Sequence, residues 1–297
     1  MKKRTRIIFK VIGGLLIAVA VLFILVGIWF YKTPFNNSKV SAARIFPFPV
    51  MLIGGKPVWA SEVASRFDIA KNYYKNSGRT FDEKTMQRQA ITELASEKTV
   101  ALVAKQYGIR VTNGELDTAL QSVVESANAQ SPGSFKNILN LYGVTENEFR
   151  SKILQPQLLK TNLLIWFNSQ RQLNPAAYKQ ADTIVAQIHQ GADFSSLVPQ
   201  FTQDASTKNL GGDLGLVSYA SLLPEFKEAI DGANTGSVVL VPSRYGLHIM
   251  QIKDKDMQGA GQTAQVHLFQ IFLSTENFQQ WLDIQTSKIK VKELIKF

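Results

Sequence analysis

Four side chains, Leu214, Leu222, Phe226 and His248, stand inside a stretch that runs from Gly211 to Ile252. Two glycine-rich turns, Gly211-Gly212-Asp213-Leu214-Gly215 and Tyr245-Gly246, bracket a short amphipathic segment and a valine run. The leucines, the phenylalanine and the histidine thus come from separate elements. Their convergence on one pocket suits an apolar ring with a few polar groups at the rim. Nothing points to a nucleophile or a metal. Without any cysteine the chain has no thiol catalysis, thiolate metal site or disulfide framework. Its three histidines, His189, His248 and His267, fall into no metal-binding spacing, and neither a GxSxG motif nor a phosphate-binding loop occurs. No cofactor and no metal are expected.

The elements that must position these residues occupy a chain of 297 residues, long enough for two domains. Residues 1–6 are strongly basic, and from Ile7 to Tyr31 the sequence is apolar except for Lys10, which can snorkel to the headgroups. About 20 apolar residues suffice to cross a bilayer as a helix. Trp29, Phe30 and Tyr31 lie at the far end, as an interfacial aromatic belt does. Basic residues before the span place residues 1–6 in the cytoplasm and the bulk of the chain outside the cell membrane, periplasmic or at the cell surface. A cleaved signal peptide has a shorter apolar core with a small-residue site just after it. Here Val40-Ser41-Ala42 lies well beyond the run, so an uncleaved signal-anchor is expected. Lys2, Lys3, Arg4, Arg6 and Lys10 account for half of the net charge of +10. The anchor explains much of the basicity, and no nucleic-acid partner is needed.

After the anchor, residues 32–50 contain Pro34, Pro47 and Pro49 and read as a linker. Met51 to Trp59 reads as a tight hairpin turning on Gly54-Gly55, with Ser61 placed to cap the next helix. From there to Gln172 the pattern is helical. Thr80 and Glu83, Thr112 and Glu115, and Thr145 and Glu148 each have capping-box spacing. Ile91, Leu94 and Leu102 recur at helical spacing, Gly108 closes their helix, and Pro156 is expected to bend the last one. Asn174-Pro175 opens a new helix with Asn as cap and Pro at its first position. His189, near that helix's end, reads as a surface residue.

Two families resemble this pattern. Ala104 to Leu116 and Leu141 to Phe149, after the hairpin at Ile53 to Val63, resemble the N-terminal chaperone domain of the SurA and PrsA class. Phe194 to Ile252 resembles the parvulin (PpiC) family of peptidyl-prolyl isomerases, or rotamases, through its GAxF turn, acidic loop, GGDLG, LLPEF helix and YGxHI strand. That resemblance implies that Leu214, Leu222 and Phe226 line a proline-ring pocket. It implies that His248 is the histidine of the last strand and that Asp204 faces the isomerising bond. Tyr245 falls where some members carry a serine.

Parvulins begin with a strand bearing a second histidine, and nothing between Phe167 and Asn174 reads as that strand. Ala264 to Leu273 is a strong β segment beyond the connection Gln258-Gly259-Ala260-Gly261, and it resembles the absent one. In the family the first and last strands are antiparallel neighbours, so a hairpin after Ile252 can fill the place late. The expectation is a circularly permuted parvulin in which Gln270 takes the first histidine's position. Side-chain alternation turns His267 to the other face, and a shift of one residue would exchange them. Phe278 to Phe297 looks like the helix and edge strand that return to the chaperone domain, pairing near Leu52 or Val58.

The expected architecture is α+β. It has a transmembrane helix (7–31), a mostly helical SurA-like domain (51–172, completed by 275–297) and a parvulin-like domain (173–274) with an antiparallel sheet flanked by helices. By resemblance its partners are unfolded or X-Pro-containing exported polypeptides, and its function is peptidyl-prolyl cis-trans isomerisation. The alternative is a holdase with a degenerate parvulin module, because glutamine keeps a histidine's donor and acceptor capacity but not its titration.

Overall fold

The structure is a computed structural model that describes residues 2–33, 36–256 and 264–295. The chain forms two compact units, one of residues 1–106, 112–156 and 284–297, the other of residues 107–111 and 157–283. Residues 107–111 thus group with the second unit, and the later division falls between Pro156 and Gln157, ahead of the boundary expected at Gln172. The connection at Gln258 to Gly261 and residue Pro34 lie outside the described residues.

The first unit opens with α1 (Lys2–Lys32), whose window Leu15–Lys32 is long and apolar enough to cross a membrane, with a mean hydropathy of 2.4. The stretch 32–50, expected as a linker, instead carries a helix and part of a core. Helix α2 (Asn37–Ala43) is capped by Asn36, whose side chain accepts from Lys39 N–H, and Val40, Ala43 and Phe48 are buried in the unit's core. A one-sided pair of apolar residues on so short a helix leaves no periodic signal to read.

Strands β1 (Pro49–Ile53) and β2 (Lys56–Trp59) form the hairpin on Gly54 and Gly55, both at positive φ as its two-residue turn requires. Next come α3 (Ala60–Asn76), α4 (Glu83–Gln106), α5 (Asn113–Gln130), α6 (Ser134–Tyr142), α7 (Glu146–Glu148) and α8 (Gln155–Ser169). Capping boxes form at Thr112 with Glu115 and at Thr145 with Glu148. The other two expected caps are displaced. Glu62 accepts from the Trp59 N–H, which starts α3 ahead of Ser61, and Asp82 rather than Thr80 accepts from the Thr85 N–H at the start of α4. Before Pro156 the helix widens into a π-helical turn over Phe149–Leu154. Proline has no N–H for the Lys152 carbonyl, and Arg66 donates to that oxygen instead at 3.1 Å.

In the second unit α9 (Pro175–His189), α10 (Phe194–Phe201) and α11 (Ala205–Lys208) precede β3 (Asp213–Ser218) and α12 (Pro224–Asp231). Strands β4 (Val238–Ser243), β5 (Gly246–Asp256) and β6 (Gln265–Leu273) complete an antiparallel sheet of order β3-β6-β5-β4. Alternation gives that sheet two faces. Leu247, Ile249, Ile271 and Leu273 pack under α9 and α10, whereas Met250, Ile252, Val266 and Leu268 pack with Ile230 of α12. Asn174 starts α9 without a side-chain cap bond. Its buried amide donates to the carbonyls of Phe167 and Gln170 and accepts from the Glu276 N–H. After α13 (Phe278–Ser287) the chain returns to the first unit as β7 (Val291–Glu293). There Leu52 pairs with Lys292, so β7 forms the outer edge of β2-β1-β7, with exposed residues throughout.

Candidate functional site

Strand β6 lies antiparallel beside β5, with Met250 opposite Gln270 and His248 opposite Phe272, while Val241 of β4 stands opposite His248 on its other side. Opposed residues share a face, so His248, Gln270 and Phe272 rise from the side of the sheet that α12 covers. His267 belongs to the other face, where its Nε2 meets Asp213 Oδ1 at 2.7 Å. The register is therefore the one that brings Gln270, not His267, to His248.

These groups form a single hydrogen-bonded line. Ser243 Oγ is 2.8 Å from His248 Nε2, and His248 Nδ1 is 2.8 Å from Gln270 Oε1. Gln270 Nε2 reaches Asp204 Oδ2 at 3.3 Å. Proton positions follow from the two ends. The Asp204 carboxylate only accepts, so the glutamine amide donates to it and turns its oxygen to His248. The imidazole then carries its proton on Nδ1, and its bare Nε2 accepts from the Ser243 hydroxyl, whose oxygen in turn accepts from the Tyr245 N–H at 3.0 Å. Every member is satisfied with the ring neutral.

Burial favours that state. His248 is 5% exposed, and its desolvation lowers the imidazole pKa despite the Gln270 hydrogen bond and the Asp204 charge. Asp204 shows the opposite balance. Partial burial opposes its ionisation, yet hydrogen bonds from Ser206, Thr207 and Gln270 hold the carboxyl below the usual carboxylate range. It caps α11 at the same time.

Both shifts carry one sign for stability. Folded His248 binds protons less readily than the unfolded chain, so its contribution is full above about pH 6.5 and is lost as pH falls through the folded pKa. Asp204, also depressed, loses its contribution at still lower pH. The unit should therefore lose stability as pH drops below about 6.5. His248→Asn, which retains one donor and cannot titrate, should flatten the first part of that decline in urea melts at stepped pH. An equally steep decline in the variant would rule out His248 as its source.

The apolar half of the site is built over this line. Pro224 at the first position of α12 sets the helix so that Ile230 is fully buried and Phe226 is half-buried. The Phe226 ring meets the His248 ring edge to face at 4.8 Å, and the Phe272 ring packs on it, tilted, at 5.1 Å. Leu214 and Leu222, half-buried, pack against the same cluster as Val241 and Met250. Tyr219, also in that cluster, donates to Asp231 at 2.7 Å, and burial with this bond pushes its phenol up to about 12.

Of the seven residues expected at the site, the structure brings six to this face, and Tyr245 is the exception. Its side chain is 62% exposed beneath the Arg244 guanidinium, and only its backbone N–H enters the line. The hydroxyl that does enter the line is that of Ser243, two residues earlier, outside the expected set and on the same face of the strand as Val241. The pairing of Ser243 with Gly246 across a two-residue turn places its hydroxyl diagonal to His248, a signal available once the hairpin is drawn. Phe272 also lies outside the expected set, although it follows Gln270 by the strand's own repeat of two.

Residues 1–163 match the family model of the SurA-like N-terminal domain, and residues 151–256 match that of the PPIC-type PPIase domain. Strand β6, with Gln270, lies beyond both matched stretches. The chain is 23% identical to the chaperone SurA of Ralstonia nicotianae over 282 residues, which cover 80% of this chain and 56% of that protein. It is 26% identical to the foldase protein PrsA of Pediococcus pentosaceus over 208 residues, 63% of this chain and 67% of that one. A segment of 117 residues is 32% identical to the chaperone SurA of Legionella pneumophila, covering 37% of this chain and 27% of the relative. The chain thus spans little more than half the length of the first of these relatives and about two thirds of the second.

Proposed function

The chain belongs to the family with a SurA-like N-terminal domain and carries a PPIC-type PPIase domain, and from that premise we infer that it is a membrane-anchored peptidyl-prolyl cis-trans isomerase and foldase for exported polypeptides. The observation that carries this reading is the half-buried apolar wall of Leu214, Leu222 and Phe226 standing over the line Ser243–His248–Gln270–Asp204. The second unit is then a permuted parvulin whose first strand, β6, arrives last. The apolar part of α1 supports the anchor, with the basic residues at the start of the helix in the cytoplasm.

The chemistry asks for little. An X-Pro bond isomerises in tens to hundreds of seconds because rotation breaks amide resonance across a barrier of about 18–20 kcal/mol. A site accelerates this by favouring the twisted amide over both planar forms, with no nucleophile and no metal. The leucines and Phe226 hold the prolyl ring away from water. Asp204, His248 and Gln270 orient hydrogen bonds beside the twisting amide, and Ser243 keeps the imidazole in one tautomer. No proton changes owner.

One observation favours a second reading, a holdase that binds unfolded chains without turning them over. Gln270 cannot titrate and His248 is held neutral between two partners, so the line has one arrangement only. A protease-coupled assay with an X-Pro peptide, run on the full chain in lipid nanodiscs, separates the two. Acceleration above the spontaneous rate, lost in Leu222→Ala, supports the isomerase. A spontaneous rate beside intact suppression of client aggregation makes the protein a holdase.

A further inference from the structure

The residues after α1 do not lead away from the span; they fold back along it. The Phe48 ring lies 5.1 Å from Phe23, 5.0 Å from Phe30 and 5.8 Å from Tyr31, and Phe46 stacks on Phe48 while reaching Phe23 at 6.0 Å. Gly27, on the intervening turn, faces the Phe48 ring. At 1.5 Å per residue Phe23 lies about 13 Å along the axis before Lys32. A hydrocarbon core needs about 20 helical residues, and that count from Ile7 ends near Val26. With α1 read as a membrane span, Phe23 is therefore inside the lipid, and whatever touches it shares its depth. Ile45, next to Phe46, is 76% exposed, as are neighbouring span residues such as Ile24 at 60%.

The backbone of this turn suits that place. Hydrocarbon offers no partner to a free N–H. Arg44, Ile45 and Phe46 donate to the carbonyls of Ser41 and Ala42, Phe48 donates to Phe46, and Pro47 and Pro49 have no N–H to satisfy. The fold-back is also pinned at the helix end. Lys39, fully buried, donates its ammonium to the carbonyls of Phe30 and Thr33 at the end of α1, and Tyr31 Oη donates to Pro49 O at 3.1 Å.

We propose that Ile45-Phe46-Pro47-Phe48 is a membrane finger: it inserts beside α1 into the outer leaflet and seats the first unit on the lipid surface. The inference rests on the membrane reading of α1 and is independent of the isomerase reading. Its partner is the acyl-chain boundary of the bilayer. A client polypeptide on the same apolar turn is the competing occupant, and the depth shared with Phe23 argues against it.

Because the chain has no cysteine, single thiols report cleanly. Ile45→Cys, Ile24→Cys and Ser77→Cys, each carrying an environment-sensitive fluorophore, would be placed in phosphatidylcholine–phosphatidylglycerol vesicles containing doxyl-labelled acyl chains. Ile45 is so exposed that its replacement leaves the fold's packing alone. The expected result is a blue shift and quenching at Ile45 comparable to those at Ile24, with Ser77 aqueous and unquenched. An Ile45 label that behaves as Ser77's does, beside a lipid-quenched Ile24, overturns the finger and leaves the anchor standing. Labels at both Ile24 and Ile45 that stay in water overturn the anchor and the finger together. Neither result bears on the peptide assay, so failure here and failure of the isomerase reading are distinguishable.

Discussion

Phe226→Ala should lower kcat/KM for an X-Pro peptide by roughly 10- to 100-fold while leaving the second unit folded. The size follows from what the ring does. Burying a phenylalanine-sized apolar group stabilises by about 1.5–3 kcal/mol, and each 1.36 kcal/mol in a barrier is a factor of about ten. Phe226 is only half-buried in the free protein, so most of its surface gain waits for the substrate's ring. Ile230, fully buried one turn later, keeps α12 on the sheet without it. Two effects should separate in the kinetics. Loss of the wall weakens planar and twisted substrate alike and raises KM, whereas loss of the edge-to-face contact frees the His248 ring and lowers kcat. Phe226→Leu should recover KM more than kcat, because it restores apolar area but not the ring edge. Leu222→Ala should raise KM with less effect on kcat, since Leu222 packs in the apolar cluster and has no hydrogen bond to the line. A folded Phe226→Ala protein with unchanged kinetics would remove Phe226 from the site and, with it, the pocket as drawn.

How much of this site is legible in advance depends on whether a residue's place follows from its own strand. Gln270 can be read: Val266, Leu268 and Gln270 share a face by alternation, and the apolar members choose which face is inward. Its pairing beside His248 then follows once a strand is missing from the expected order. Ser243 and Phe272 need more, because a hydroxyl or a ring becomes part of a site only through a neighbour fixed by pairing. Helix ends behave in the same way. Glu62 and Asp82 compete with Ser61 and Thr80 for the same orphan N–H groups, and a spacing rule alone does not rank them. The least legible stretch is Lys32 to Val50, where prolines read as a linker. Pro47 and Pro49 instead spare the turn unpaired donors, and Lys39, a residue that normally marks a solvated surface, is buried against the end of α1.

Gly212→Ala should destabilise the second unit by roughly 2–5 kcal/mol. Gly212 sits at φ +80°, where an L-residue is strained by roughly 1–2 kcal/mol. An added Cβ would also lie 2.5 Å from the Gln270 carbonyl oxygen and 2.9 Å from Val198 Cγ2. Neither neighbour can yield cheaply. The Gln270 carbonyl belongs to a strand paired on both sides, and Val198 is fully buried, so overpacking adds roughly 1–3 kcal/mol. The same turn is what holds the line's central residue, because Gly212 O accepts from the Gln270 N–H at 2.8 Å. Displacing that strand by a few tenths of an ångström lengthens the Gln270 contact to Asp204, already 3.3 Å, before it disturbs the core. Gly215→Ala is the matched control: it has a similar φ of +67°, but its added methyl meets open space and so carries the strain alone. Amide hydrogen exchange at Gln270 should accelerate in Gly212→Ala and remain near wild type in Gly215→Ala, with isomerase activity following the same order. Equal losses in the two variants would mean that backbone strain alone matters there, and that the glycine pair does not clamp Gln270 against His248.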